Sequence, residues 1–166
     1  MLAYCLLKMD NQGHKILSDR TYRMEVKTWP SFAVVVDPKE IDRLFGKDSP
    51  YNLSSQYASL HISEDGSYDI SARIGEELRK GGPRKDNFVK VAGSINSIFV
   101  AKIRIGDSER GKSHGYRAIT LVVPPITKAF LLGIKKHVRS SSDTVISDKE
   151  KSKLKRIVDM LEKDAN

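Results

Sequence analysis

The stretch YRAITLVVPPITKAFLLGIKKHVRS, residues 116–140, decides how the rest of the chain is read. Gly115 before it, the β-branched residues Ile119, Thr120, Val122 and Val123, and the double proline after them make 116–123 a strand. Pro124-Pro125 then stops the sheet and suits the opening of a helix. Ile126, Ala129, Phe130, Gly133, Ile134, His137 and Val138 follow helical spacing along one face. The stretch therefore predicts a strand running directly into an amphipathic helix.

Working outward, SINSIFVAKIRI (94–105) predicts the preceding strand, with Ala101, Ile103 and Ile105 alternating against Lys102 and Arg104. Downstream, RSSSDT (139–144) is a polar linker. Ser147 with Glu150 then makes a capping box for a helix whose apolar face is Leu154, Ile157, Val158 and Leu161. Further upstream, 59–63 and 67–74 flank Glu64-Asp65-Gly66 as the arms of a hairpin, with Tyr68, Ile70, Ala72 and Ile74 on one side. Residues 75–87 read as a short helical turn entering a basic Gly/Pro loop, and 47–58 as loop. Asp37-Pro38-Lys39-Glu40 opens a helix with an N-cap, a first-position proline and an acid at the third position. Ile41, Leu44 and Phe45 form its apolar face and Gly46 ends it. SFAVVV (31–36) is a continuously apolar strand, covered on both faces. Residues 2–9 and the alternating 22–28 add strands, separated by the turn at Asn11-Gln12-Gly13 and broken at Trp29-Pro30.

The expectation is an α+β fold: a mainly antiparallel sheet or small sandwich of about seven strands, packed with about three helices, including a long one after the last strand. Residues 1–140 read as one domain, and 141–166 as linker plus C-terminal amphipathic helix.

Composition narrows the class. Of 166 residues, 39% are hydrophobic and 30% charged, enough for one modest core. The longest apolar runs, Phe32–Val36 and Ile119–Val123, are far below the roughly 20 residues of a bilayer span. MLAYCLLKMD lacks the basic flank and length of a secretory signal. The single cysteine, Cys5, excludes an internal disulfide and a cysteine zinc cluster and fits a reducing compartment.

The net charge of +8 is unevenly placed. Between residues 79 and 117 lie ten basic residues, Arg79, Lys80, Arg84, Lys85, Lys90, Lys102, Arg104, Arg110, Lys112 and Arg117, opposed only by Asp86, Asp107 and Glu109. The excess marks these ten as an anion-binding surface for lipid headgroups, nucleic acid or a nucleocapsid. The competing reading is a face charged for solubility alone.

GDSERGKS (106–113) matches the phosphate-loop pattern of nucleotide hydrolases, with Lys112 placed for terminal phosphates and Ser113 for Mg²⁺. That loop needs a helix after it, and the predicted continuation is a strand, so the string reads as a hairpin tip. FAVVVD (32–37) supplies an apolar strand and an acid, but it precedes the loop and Asp37 already caps a helix. A small basic ribonuclease is a weaker alternative: His114 lies among Lys112, Tyr116 and Arg117, and His61 on a predicted strand, with no partner at a telling spacing. His14, His61, His114 and His137 are scattered outside metal-ligand spacing. The basic strands lack aromatic interleaving, Phe99 standing almost alone, so binding through phosphate charge is expected over reading of bases.

Trp29-Pro30 followed by SFAVVVD, and a later hairpin leading into 116–140, resemble a small matrix protein of a non-segmented negative-strand RNA virus, of the bornavirus or plant cytorhabdovirus type. The likeness in size, basic charge and element order covers about residues 15–140. It implies a viral protein without enzymatic activity, cofactor or metal. Such a protein self-associates beneath the envelope, binds acidic membrane and nucleocapsid, and condenses the nucleocapsid for virion assembly. Its partners would be itself, viral nucleocapsid or RNA, and an acidic phospholipid surface. Its location would be the virion and the cytoplasm and membrane periphery of the host. The budding signals PPxY and P[TS]AP are absent, and Tyr57–Leu60 matches only the loose YxxL form. The alternative is a basic RNA-binding protein such as a viral silencing suppressor.

Overall fold

The computed structural model describes residues 29–80, 88–95, 97–107, 111–137 and 145–165; the strands expected at 2–9 and 22–28, the 81–87 loop and the 139–144 linker lie outside them. Among the described residues nine elements of regular α or β structure follow in order: β1 (Ala33–Val35), α1 (Pro38–Phe45), α2 (Leu53–Leu60), α3 (Glu64–Arg79), β2 (Phe88–Gly93), β3 (Phe99–Asp107), β4 (Gly111–Val123), β5 (Lys128–Lys136) and α4 (Asp148–Ala165). The five strands form one mixed sheet in the order β1-β5-β4-β3-β2; only the β1–β5 pairing is parallel. This is the expected α+β class, with four helices among the described residues and a long helix after the last strand.

The long helix is α4, however, and residues 128–136 are not a helix but that last strand. Pro124–Ile126 makes a single 3₁₀ turn, and Thr127 takes a left-handed backbone (φ 50°) that sends the chain back along β4. Every residue from Ala129 to Ile134 is buried. A strand covered on both faces loses its alternation, and its unbroken apolar run contains a helical set by default. A bulge sharpens the ambiguity: Ile119 faces Gly133 while Thr120 faces Leu131, leaving Leu132 as the extra residue.

The hairpin expected around 64–66 is likewise a helix pair, α2 and α3. Ser63 is the N-cap of α3, its hydroxyl accepting from the Gly66 N–H at 3.1 Å, and Glu64 and Asp65 are acids of the first turn. Ile70, Ile74 and Leu78 form the buried stripe, whereas Tyr68 and Ala72 are exposed. Ile70 and Ile74 satisfy a period of two and a spacing of four equally, which is why the alternation misled. The expected loop at 47–58 contains most of α2, whose weakly amphipathic LSSQYASL carries little pattern. β2 was not expected, and the strand predicted from 94 starts at Phe99.

Two caps are as read. Asp37 accepts from the Lys39 N–H at 3.0 Å to start α1, which buries Ile41, Leu44 and Phe45. At α4, Glu150 accepts from the Ser147 N–H at 2.7 Å while the Ser147 hydroxyl accepts from the Glu150 N–H at 3.3 Å.

The sheet is covered on both sides. α3 lies over β1 and β3, its Ser71 hydroxyl donating to the Val34 carbonyl at 3.3 Å. On that side Trp29 and Phe88 each pack on Phe99, with ring centroids 5.9 and 5.8 Å apart. α1 and α2 cover β5 on the other side, where Phe45 meets Phe130 edge-on at 5.6 Å. α4 packs on β2 and β3, burying Leu154, Ile157, Val158 and Leu161.

Candidate anion-binding face

Residues directly opposite in a sheet share a face. Arg104 on β3 pairs with Arg117 on β4, and Arg117 pairs with Lys135 on β5. The register thus lays three cations in a row across three strands, with adjacent strands about 4.8 Å apart. Lys102, two residues before Arg104, projects from the same face one step along β3.

The row lies where the helical cover ends. α4 begins beside Lys135, through Glu150, and its far end reaches the β2–β3 turn, where the Ser97 hydroxyl donates to Glu162 at 3.3 Å. Arg104 and Arg117 lie farther toward the β3–β4 hairpin than Lys102. The cations are partly withdrawn from solvent: Arg117 is only 7% exposed, and Lys102 and Arg104 are half-buried.

Its electrostatics are unfavourable without an anion. Burial, then the charges of Arg117, Lys135 and Lys151, hold the Lys102 pKa below its usual value. Burial and then Arg104 do the same to Arg117. Among the described residues no carboxylate pairs with Lys102, Arg104 or Arg117; the Arg117 guanidinium donates to its neighbour's carbonyl, on Tyr116, at 3.2 Å. Lys135 differs, since its ammonium donates to Glu150 at 2.9 Å and to the Val145 carbonyl at 3.2 Å and sits 5.5 Å from the Tyr51 ring centre. Burial raises the Glu150 pKa, but Lys135 and the backbone and hydroxyl of Ser147 outweigh it, lowering it to about 2. Burial and that carboxylate push the Tyr51 hydroxyl up.

Of the sequence-selected cations whose side chains are described, Lys102, Arg104 and Arg117 meet here. Arg79 and Lys80 end α3 across the sheet, and Lys80 is paired with Glu76 and Glu77, each at 2.9 Å. Lys90 is exposed on the edge strand β2, opposite Ala101 and therefore on the α3 side. Arg84, Lys85 and Arg110 lie outside the described residues, and of Lys112 only the backbone, within β4, is described. Lys135 and Lys151 were missed. Reading 128–136 as a strand would have placed Lys135 beside Arg117; Lys151 had no local signal, because its nearness to Lys102 depends on where α4 docks.

Within GDSERGKS, Gly106 and Asp107 end β3, Asp107 pairs with Gly111, and Lys112 and Ser113 continue into β4. His61 is exposed at the left-handed end of α2. Among the described residues no group of three or more His, Cys, Asp or Glu side chains could hold a metal ion, and no helix is long and apolar enough to cross a membrane. No protein-family model, curated protein or solved structure matches the chain significantly.

Proposed function

We propose that the protein is a non-catalytic binder of phosphate polyanions and that its ligand is a nucleic-acid backbone, free or within a nucleocapsid. The observation that supports this most is the cross-strand pair Arg104–Arg117 flanked by Lys102, three cations without a carboxylate partner among the described residues. Mutually repelling, half-desolvated cations are retained at a cost that a bound polyanion offsets, and guanidinium groups match phosphate geometry through paired N–H donors. The burial of Arg117, only 7% exposed, favours a thin, flexible chain of phosphates over a plane of headgroups as its ligand. The exposed aromatic Tyr68 is on α3, across the sheet, so affinity on this face comes from charge rather than base stacking.

Binding of a labelled oligouridylate, followed by fluorescence anisotropy over a salt series, tests the reading. The expected result is affinity that falls steeply with salt and drops on charge reversal at Arg104; salt-insensitive binding, or none, overturns it.

The matrix-protein reading is the broader frame for the same chemistry. Over residues 116–136 its strand-to-helix feature is instead the β4–β5 hairpin, so it rests on size, basic charge and the Trp29–Asp37 segment. Concentration-dependent assembly and sedimentation with phosphatidylserine vesicles at low salt are its distinguishing tests.

A further inference from the structure

Lys135 stands at the end of the cationic row, yet it is the one member with a carboxylate partner. Glu150 reaches it from the first turn of α4, and both Glu150 oxygens are engaged: Oε1 by the Lys135 ammonium at 2.9 Å, Oε2 by the Ser147 N–H at 2.7 Å and the Ser147 hydroxyl at 2.8 Å. The Val145 carbonyl takes a further bond from Lys135, and the Tyr51 ring lies beside the ammonium. The side chains of Lys135 and Glu150 are 19% and 21% exposed, so solvent screens this pair less than a surface pair.

From this arrangement we infer that Glu150 is a built-in competitor of the ligand that keeps Lys135 in reserve. The inference rests on the polyanion reading. In the resting protein the face offers three cations with no carboxylate partner among the described residues, Lys102, Arg104 and Arg117. A fourth becomes available only when the Glu150 carboxylate is neutralised or the first turn of α4 lifts away. Glu150 thereby sets the threshold of affinity, and the docking of α4 regulates how many phosphates the face can take.

The experiment compares oligouridylate binding by the full chain, Glu150→Gln, and Glu150→Gln combined with Lys135→Met, across a salt series. Glutamine keeps an acceptor for the Ser147 cap, so α4 is retained, and circular dichroism checks this. Glu150→Gln is expected to bind more tightly at low salt. Its plot of log affinity against log salt should steepen by about 0.7, the value for one additional phosphate on a single strand. Adding Lys135→Met should return both affinity and slope to the parent values. A gain that survives Lys135→Met overturns the inference, since removing one negative charge from the vicinity would then explain it. Unchanged affinity in Glu150→Gln beside a parent that binds overturns it too. A parent chain that binds no oligouridylate refutes the polyanion reading itself, and the two failures are thus distinguishable.

Discussion

Arg104 and Arg117 face each other directly across the β3–β4 ladder, the more buried of the two having only a backbone carbonyl as hydrogen-bond acceptor among the described residues. Like charges directly opposite in a sheet destabilise it by a few tenths to about 1 kcal/mol, and burial adds to that cost. Arg117→Met keeps the aliphatic stem and removes the charge. It should raise unfolding free energy by up to about 1 kcal/mol in urea titrations while weakening oligouridylate binding and flattening its salt slope by about 0.7. A loss of both stability and binding would make Arg117 a structural residue rather than a site residue.

Gly133 is fixed by Tyr51 rather than by its own backbone. A Cβ at Gly133 would lie 2.6 Å from both Cγ and Cδ2 of the Tyr51 ring, which is itself buried. Gly133→Ala should therefore cost about 1–3 kcal/mol, the range for overpacking a filled core. Tyr51→Ala in the same chain should relieve part of that clash, so the two costs should sum to more than the double variant shows. Urea denaturation of the four chains measures the coupling, and simple additivity would place the strain elsewhere.

The Glu150 cluster makes stability depend on acid. Its folded pKa, about 2, lies below the ordinary carboxylate value of 4.5, so the folded state favours the ionised form. A depressed pKa contributes stability that is fully present above the ordinary value and is lost as pH falls from about 4.5 toward 2. The parent should lose more stability than Glu150→Gln over that window, with Lys135 of β5 and Ser147 of α4 as the partners released. Urea midpoints at pH 5 and pH 3 check this, and equal losses in both proteins would show that other carboxylates dominate acid unfolding.

What was legible in the sequence followed local chemistry. The caps at Asp37 and Ser147 could be read because a cap and the N–H it accepts from lie within one turn. The class could be read because β-branched runs and amphipathic repeats were both present. The identity of residues 59–74 and 126–138 could not, because Ile70 and Ile74 fit two periods and the buried run from Ala129 to Ile134 has no polar face to set one. The site suffered for the same reason. A linear count of charge brought together ten cations, but strand register, which the count does not contain, sorted Lys102, Arg104 and Arg117 onto one face, sent Lys90 to the other and recruited Lys135.

Asp42 joins α1 to α2 through its carboxylate. Its two carboxylate oxygens accept from the Leu53 and Ser54 N–H groups, each at 2.9 Å, while Asn52 takes the Ser55 N–H at 2.7 Å. Three of the four N–H groups left open by the helix start are thus satisfied by side chains. Asp42→Ala should cost about 1–2 kcal/mol, the upper range of a lost N-cap, and should fray α2 before the rest of the fold. Hydrogen exchange at Leu53 and Ser54 is the measurement. Protection that falls there while β4 stays protected is the expected pattern, and uniform loss would mean that α2 has no stability of its own to lose.

The string GDSERGKS yields a prediction that separates its letters from its geometry. A phosphate loop works because a helix begins immediately after its lysine, presenting N–H groups and the positive end of the dipole to the phosphates. Here Lys112 is followed by strand, so no helix N-terminus begins after it to present N–H groups to a phosphate. Lys112 can then contribute only charge to an anion. Lys112→Ala should lower affinity for Mg-ATP no more than neutralising Arg104 does, and Ser113→Ala should leave it unchanged whether or not Mg²⁺ is present. Isothermal titration with ATP, with and without Mg²⁺, checks both. A Lys112→Ala loss well beyond that of Arg104→Ala, together with Mg²⁺ dependence through Ser113, would return the phosphate-loop reading and require the hairpin to refold around the nucleotide.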